Sequence, residues 1–207
     1  GVMGVATEGQ RVLRCTAPGR CTAFALPTVV TSTAVSSNAQ FVAGHGGAVA
    51  RIDDGGLRLL NEAGDDQVAD LVINADGTGW AGVFAGSVLE RSDAGWRVRW
   101  TTTSSGLPLP PVQALAAFDA QLVVGTSAGL YHLGTGTLRE STMRGLPMSR
   151  LGITRIRPAD AGALAVGAYG SVFRQTSLTT WESLAASTAK TTPVVATTTT
   201  TASNSFD

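Results

Sequence analysis

The chain has 207 residues, of which 43% are hydrophobic and 14% are charged. This length and apolar content suit one folded domain with a sizeable core and argue against a disordered chain. Fifteen basic and fifteen acidic residues cancel, so the net charge gives no basis for binding nucleic acid or an anionic membrane surface. The sequence contains no apolar run of about 18 residues, so we predict no membrane insertion.

The first local signal is a pair of cysteines, Cys15 and Cys21, which flank a turn at Pro18-Gly19. A hairpin at this turn would bring the two thiols close enough for a disulfide, and a disulfide would indicate an extracellular or periplasmic location. The alternative is a pair of free thiols in an outer strand. The spacing fits no zinc motif, and we predict neither a metal nor a cofactor.

A longer pattern repeats five times along the chain. It consists of apolar residues ending in a glycine, a short loop, a second glycine and an apolar strand. The first glycines, separated by 40, 38, 43 and 42 residues, are Gly4, Gly44, Gly82, Gly125 and Gly167. A Leu-Pro pair at 26–27, 107–108 and 146–147 keeps the same period, which indicates a repeat architecture.

Each repeat contains four short strand-like runs, and no long stretch has helical periodicity. The fourth repeat predicts an inner strand at Val112–Phe118, a second at Gln121–Thr126, a third at Gly129–Leu133 and an outer strand at 137–141. Four strands in about 40 residues are typical of a propeller blade. We therefore predict an all-β, five-bladed β-propeller in a single domain, with repeats at about 1–26, 27–66, 67–107, 108–147 and 148–190.

The two ends of the chain complement each other. The first repeat begins at its second strand, whereas residues 193–196 resemble the start of the inner strand at 111–114. Residues 197–201 are all threonine, which favours a strand. We expect residues 191–207 to supply the missing inner strand and close the ring, since an open ring leaves unpaired strand edges. The alternative is a threonine-rich linker.

The repeat resembles a known class of propeller. Residues 166–174 with Trp181, and residues 82–95, resemble the Asp-box (bacterial neuraminidase) repeats of sialidase-type propellers. They are also similar to photosystem-assembly-factor-like propellers. The phrase at 105–108 followed by 112–115 resembles the propellers of hybrid two-component sensors. The Asp box itself is degenerate, because Asp54 and Asp93 precede glycines but lack tryptophan at the usual spacing; we interpret both as structural turn residues.

The resemblance to sialidases implies an arginine cluster, a tyrosine nucleophile and a glutamate partner, and no matching set is present. A glycosidase needs two carboxylates at a controlled separation, whereas the predicted inner strands offer one clear carboxylate, Asp70. We expect Asp70 to pair with Arg155 or Arg157. We therefore predict that the protein is not an enzyme, with a sialidase- or furanosidase-like hydrolase as the alternative.

The two histidines, His45 and His132, have no partners that would indicate a catalytic triad or a metal site. His45 lies in the sequence Gly-His-Gly-Gly, which joins two predicted strands and opens no helix. We interpret that segment as a tight turn, not as a phosphate-binding loop.

A ligand site is predicted where the loops between second and third strands surround one mouth of the channel. The loop contents differ between repeats while the flanking glycines recur. The predicted ligand-binding residues are Glu8, His45, Phe84, Ser127 and Tyr169. Aromatic and hydrogen-bonding groups together suit a sugar or a peptide. The alternative is solvated loops without a binding role.

These observations favour a non-catalytic binding module for a glycan or protein partner outside the cytoplasm, with no nucleic-acid partner. They leave the oligomeric state open. The hydrolase is the second hypothesis. A third is a structural or assembly module, such as the ectodomain of a larger sensor, since the chain begins with Gly and shows no signal peptide.

Overall fold

A computed structural model describes residues 4–35, 39–60, 66–92, 95–118, 121–134, 136–145, 152–159 and 162–184, with the backbone alone for residues 4–8, 35 and 169. These residues form twenty strands and two single 3₁₀ turns, which confirms the predicted all-β class. No helix within the described ranges has the length and apolarity needed to cross a membrane.

The described strands form five sheets that follow one another along the chain. The first sheet contains β1 (Gly4–Glu8), β2 (Arg11–Ala17) and β3 (Arg20–Ala25). The second contains β4 (Val30–Val35), β5 (Gln40–Gly44), β6 (Val49–Asp53) and β7 (Gly56–Leu59). The third contains β8 (Val68–Ile73), β9 (Gly79–Val83), β10 (Ser87–Ser92) and β11 (Gly95–Trp100).

The fourth sheet contains β12 (Val112–Phe118), β13 (Gln121–Thr126), β14 (Gly129–Leu133) and β15 (Leu138–Glu140). The fifth contains β16 (Thr142–Arg144), β17 (Ile153–Ala159), β18 (Gly162–Gly167), β19 (Val172–Ser177) and β20 (Thr180–Leu184). The three longer strands of the fourth sheet have the predicted bounds. With the exception of β16, sequential strands within each sheet pair antiparallel as a meander, which is a propeller-like arrangement.

The outer edges connect consecutive sheets. Strand β16 belongs to the end of the fourth repeat, yet it pairs in parallel with β20 of the fifth sheet, with Thr142 opposite Thr180. The end of the third repeat behaves in the same way, because Thr103 forms a parallel bridge to Leu138 of β15. Each of these two repeats therefore ends on the outer strand of the following sheet, which covers an edge that would otherwise be unpaired.

The inner strands β4, β8, β12 and β17 lie side by side and share a bulge after their first residue. The bulges fall between Val30 and Ser32, Val68 and Asp70, Val112 and Ala114, and Ile153 and Arg155. The Thr31 hydroxyl on β4 donates a hydrogen bond to the Val68 carbonyl on β8, which aligns neighbouring bulges. In the first sheet, β1 occupies the position that β5 has in the second, so the described residues of that sheet include no inner strand. The predicted closing strand, 191–207, lies outside the described residues.

The hydrophobic core is divided among the junctions between sheets. Within the described residues, four clusters occupy the four junctions between consecutive sheets. Each cluster contains residues from both adjoining sheets, for example Val12 and Ile52, Phe41 and Leu71, Val88 and Leu115, and Leu130 and Phe173. Apolar burial at about 25 cal/mol per Å² makes these junctions the main source of stability.

The structure tests the predicted disulfide and the predicted aspartate turns. Cys15 and Cys21 form the predicted disulfide, which joins directly opposite residues of β2 and β3. At the turn between β6 and β7, the side chain of Asp53 accepts the Gly55 N–H at 2.9 Å. Asp54, which the sequence favoured for this role, instead forms an exposed ion pair with Arg14 at 2.9 Å. Asp93 lies outside the described residues.

Two of the recurring glycines, Gly82 and Gly125, are required by packing between sheets, whereas Gly4 is the first residue of β1 and does not end a strand as the repeat pattern predicted. A Cβ atom on Gly82 would lie 2.5 Å from a methyl carbon of Val112, and one on Gly125 would lie 2.7 Å from a methyl carbon of Ile153. Val112 and Ile153 begin the inner strands of the next sheets. The glycines therefore let each sheet approach its neighbour closely.

We predict that Gly125→Ala lowers the free energy of unfolding by about 1–3 kcal/mol, because the added methyl overpacks the junction between the fourth and fifth sheets. The control is Gly134→Ala, whose Cβ would meet only the flexible side chain of Arg139. Urea unfolding monitored by tryptophan fluorescence measures both variants. Equal stability of the two variants would contradict the packing explanation.

Candidate functional site

The inner strands surround a polar cavity of about 380 Å³. Strands β4, β8, β12 and β17 all contribute to its wall. Its polar lining includes Ser32, Asp70, Gln113, Thr154, Arg155 and Arg157. This volume lies toward the lower end of the range of about 300–1,000 Å³ that is usual for small-molecule sites.

Asp70 connects three of these inner strands through its carboxylate. One oxygen accepts hydrogen bonds from the Ser32 hydroxyl at 2.7 Å and from the Leu71 N–H at 2.9 Å. The other oxygen accepts the Leu115 N–H at 2.8 Å. The side chain on β8 therefore joins β4 on one side to β12 on the other.

The expected ion pair between Asp70 and an arginine is wrong. Among the described residues, no salt bridge joins Asp70 to Arg155 or Arg157. The reason lies at the inner edge of each sheet. The backbone N–H groups of the inner strand have no further strand beside them there, so they need other acceptors. The bulge in β8 places the carboxylate among these donors, so backbone and hydroxyl groups occupy its acceptor positions instead.

This geometry bears on catalysis. A glycosidase places two carboxylates on either side of the scissile bond. Among the described residues that line the cavity, Asp70 is the one carboxylate, and its two oxygens already accept three hydrogen bonds. The described wall therefore offers one carboxylate, and both of its oxygens are hydrogen-bonded within the protein.

We predict that Asp70→Asn lowers the free energy of unfolding by about 1–3 kcal/mol, because the new amide NH₂ replaces one acceptor oxygen and leaves an N–H or hydroxyl donor unpaired. The matched control is Asp66→Asn, at an exposed position just before β8. Thermal unfolding by circular dichroism compares the two variants. A loss no larger in the Asp70 variant than in the control would refute the structural role.

The loops between second and third strands are fixed by one repeated hydrogen bond. In four sheets, the first N–H of this loop donates to the carbonyl of the residue just before the inner strand. The pairs are His45 to Val29 at 3.2 Å, Phe84 to Gln67 at 2.9 Å, Ser127 to Pro111 at 2.9 Å, and Ala168 to Gly152 at 2.6 Å. Because the inner strands are aligned side by side, these loops share one face of the molecule, which we call the loop face.

The hydrogen bonds define which loop residues are equivalent. His45, Phe84 and Ser127 occupy the same position, and all three are exposed. Glu8 is the last residue of β1, one position earlier, and Tyr169 follows the equivalent residue Ala168 by one. The side chains of Glu8 and Tyr169 lie outside the described set, so their part in a site stays a prediction. The three predicted residues whose side chains are described, His45, Phe84 and Ser127, are not among those that line the cavity.

Two exposed apolar side chains that the sequence did not single out, Val29 and Leu107, lie near the start of inner strands, whereas a third, Phe84, is one of the predicted site residues. Val29 is 45% exposed, Phe84 46% and Leu107 64%. Val29 precedes β4 and accepts the hydrogen bond from His45, whereas Leu107 lies in the connection that leads into β12. Val29 and Leu107 both lie in connections between sheets, where the exposure of a side chain depends on how the two sheets are joined.

The histidines occupy different environments. His45 opens a single 3₁₀ turn, His45–Gly47, that joins β5 to β6, as expected for a turn. His132 on β14 lies with its Nδ1 3.0 Å from the Ser141 hydroxyl. Burial, and then the nearby charge of Arg139, lowers the pKa of His132 below its ordinary value. Within the described ranges, no group of three or more metal-ligating side chains is present.

The lowered pKa of His132 predicts a pH dependence of stability. The unfolded chain binds the proton more tightly than the folded protein, so the free energy of unfolding should fall as pH drops below about 6.5 and level off below the folded-state pKa. His132→Gln should flatten this change, whereas His45→Gln, at an exposed position, should retain it. Urea unfolding at a series of pH values measures the slopes, and an unchanged slope in His132→Gln would contradict the assignment.

Comparison with known proteins places the fold. No protein-family model matches the chain, and no curated protein matches it. The computationally designed protein Ika8 is 17% identical, with a TM-score of 0.57, over 83% of this chain and 57% of that chain. A structure described as the extracellular domain of a hybrid two-component system from B. thetaiotaomicron is 12% identical, with a TM-score of 0.59, over 80% of this chain and 25% of that chain.

A chain of the Mitotic Checkpoint Complex is 13% identical, with a TM-score of 0.64, over 88% of this chain and 63% of that chain. The present chain thus spans 57% and 25% of the designed protein and the sensor domain. At these identities the similarity shows the fold alone, a multi-sheet, propeller-like all-β fold.

Proposed function

We propose that the protein is a non-catalytic propeller module that binds a glycan through its loop face. The observation that carries this proposal is the repeated backbone hydrogen bond that holds His45, Phe84 and Ser127 at equivalent exposed positions. A rigid framework that presents different side chains is what a binding face requires. Phe84 offers an apolar surface for a sugar ring, while His45 and Ser127 offer hydrogen-bonding groups.

A protein partner is the second candidate, favoured by a different observation. Val29 and Leu107 add exposed apolar area in the connections between sheets, at 45% and 64% exposure. Apolar and aromatic anchors surrounded by polar groups are typical of the centre of a protein interface. The two candidates share Phe84, so one variant tests both.

An extracellular or periplasmic location is part of the proposal. The Cys15–Cys21 disulfide supports an oxidising compartment. The structural similarity to an extracellular domain of a two-component system supports the same location and favours a ligand-sensing or adaptor role. A closed five-bladed ring, completed by residues 191–207, is the architecture that we propose for this module.

The hydrogen bonds of Asp70 support the proposal that the protein is not a hydrolase. Its carboxylate serves the junction between inner strands, and a sialidase- or furanosidase-like hydrolase would need further acidic residues at the same place. Hydrolysis of a chromogenic glycoside by the intact chain, lost in Asp70→Asn, would favour the hydrolase and overturn this part.

The test of the binding face is a glycan-array screen and a pull-down with the intact chain and with Phe84→Ala. Removal of the exposed Phe84 ring, which a bound partner would cover, should weaken binding by at least about tenfold. The control is Leu178→Ala, which removes an exposed apolar side chain, 63% exposed, from the β19–β20 turn at the opposite end of the strands. Equal loss in both variants, or binding unaffected by Phe84→Ala, would refute the assignment to the loop face.

A further inference from the structure

A second cavity, of about 210 Å³, lies between the fourth and fifth sheets at the opposite end of the strands from the loop face. Phe118 and Gln121, on either side of the connection between β12 and β13, form part of its wall. Gly162, Gln175 and Leu178, from β18, β19 and the β19–β20 turn, also line it. We call this cavity the turn-face pocket. Its volume is below the range of about 300–1,000 Å³ that is usual for small-molecule sites, so it suits a single side chain of a partner.

Gln175 presents an unpaired acceptor in this pocket. The residue is 8% exposed, and its Nε2 donates to the Leu178 carbonyl at 3.5 Å, which is a weak contact. Its Oε1 accepts no hydrogen bond from the described residues. A Cβ atom on Gly162 would lie 3.1 Å from this oxygen, so the glycine leaves space beside the acceptor. A buried acceptor without a donor is unfavourable, and a ligand N–H would satisfy it.

Gln121 presents a second unpaired acceptor, from the other sheet. Its Oε1 is buried without a hydrogen-bond partner among the described residues. The pocket therefore has one amide oxygen in need of a donor in each of the two sheets that form it. A primary carboxamide carries two N–H donors on one nitrogen and an acceptor oxygen, which matches two amide side chains better than a hydroxyl with its single donor does.

The remaining wall favours an uncharged ligand with an apolar stem. The other described residues of the wall, Thr176 and Ser177, carry no charge, so a charged ligand would lose hydration without gaining an ion pair. Phe118 and Leu178, the latter 63% exposed, offer apolar surface to methylene groups. We propose that the turn-face pocket binds a glutamine side chain of a protein partner, at a site independent of the loop face.

The experiment titrates the intact chain with N-acetyl-glutamine N-methylamide and follows the backbone N–H of Leu178 by NMR. The corresponding methionine derivative has a side chain of similar length without N–H donors, and the glutamate and lysine derivatives carry a charge. The glutamine derivative should bind at least about tenfold more tightly than each of the other three, because only it satisfies both acceptors without burying a charge.

Variants of the two glutamines test the hydrogen bonds separately from the apolar wall. Gln175→Met keeps the side-chain length and removes the acceptor, so the preference for the glutamine derivative over the methionine derivative should fall below about threefold. Gln121→Met should lower the preference in the same direction. The matched control is Gln113→Met, which removes another buried, unpaired Oε1 from the cavity between the inner strands and should retain the full preference. Thermal unfolding verifies that each variant is folded.

The two proposed sites are distinguishable by their variants. Phe84→Ala should leave binding of the glutamine derivative unchanged, whereas Leu178→Ala should weaken it and leave glycan binding at the loop face intact. Four results would overturn the proposal: no NMR shift at Leu178 at millimolar concentrations, equal affinity for the glutamine and methionine derivatives, tighter binding of free glutamine than of its blocked derivative, or a preference retained in both Gln175→Met and Gln121→Met.

Discussion

The rest of the structure depends on how the chain satisfies the inner edge of each sheet. An inner strand pairs on one side only, so its other N–H and C=O groups face the cavity and need partners. Asp70 provides acceptors for two of these N–H groups, and the Thr31 hydroxyl provides a donor for one carbonyl. Two of these contacts, Leu115 N–H to Asp70 and Thr31 to Val68, join strands of different sheets, so groups that satisfy the edge also hold the sheets beside one another.

The fold was predictable because its strongest constraints recur in the sequence. A glycine returns about every 40 residues, and at Gly82 and Gly125 a side chain would collide with the next sheet. The bounds of β12, β13 and β14 followed from apolar runs between turn residues, and the disulfide followed from a short turn between two cysteines. Each of these signals is local or periodic, which is why a single sequence reveals them.

The candidate site was less predictable, because its geometry depends on register and on bulges. The sequence placed Asp70 beside an arginine, whereas a one-residue bulge directs its carboxylate to backbone N–H groups. The sequence also aligned Glu8 and Tyr169 with His45, although the shared hydrogen bond assigns His45 the same position as Ala168. A shift of one residue in a strand or loop redirects a side chain, and no pattern of apolar residues reports such a shift. The place of Gln113 in the cavity wall had only a weak signal in the sequence, a single amide side chain within an otherwise apolar strand.

The outer edge has a consequence for how the repeats cooperate. Residues 142–144 belong to the fourth repeat by sequence but to the fifth sheet by hydrogen bonding, and Thr103 has the same relation to the fourth sheet. The repeat unit of the sequence and the folding unit of the structure are therefore out of phase by one short segment. In a nearest-neighbour description of repeat proteins, this overlap strengthens the coupling term at the expense of the intrinsic stability of each unit. The fourth and fifth sheets are thus completed only when the repeat before each of them is present, which ties the order of the array to its assembly.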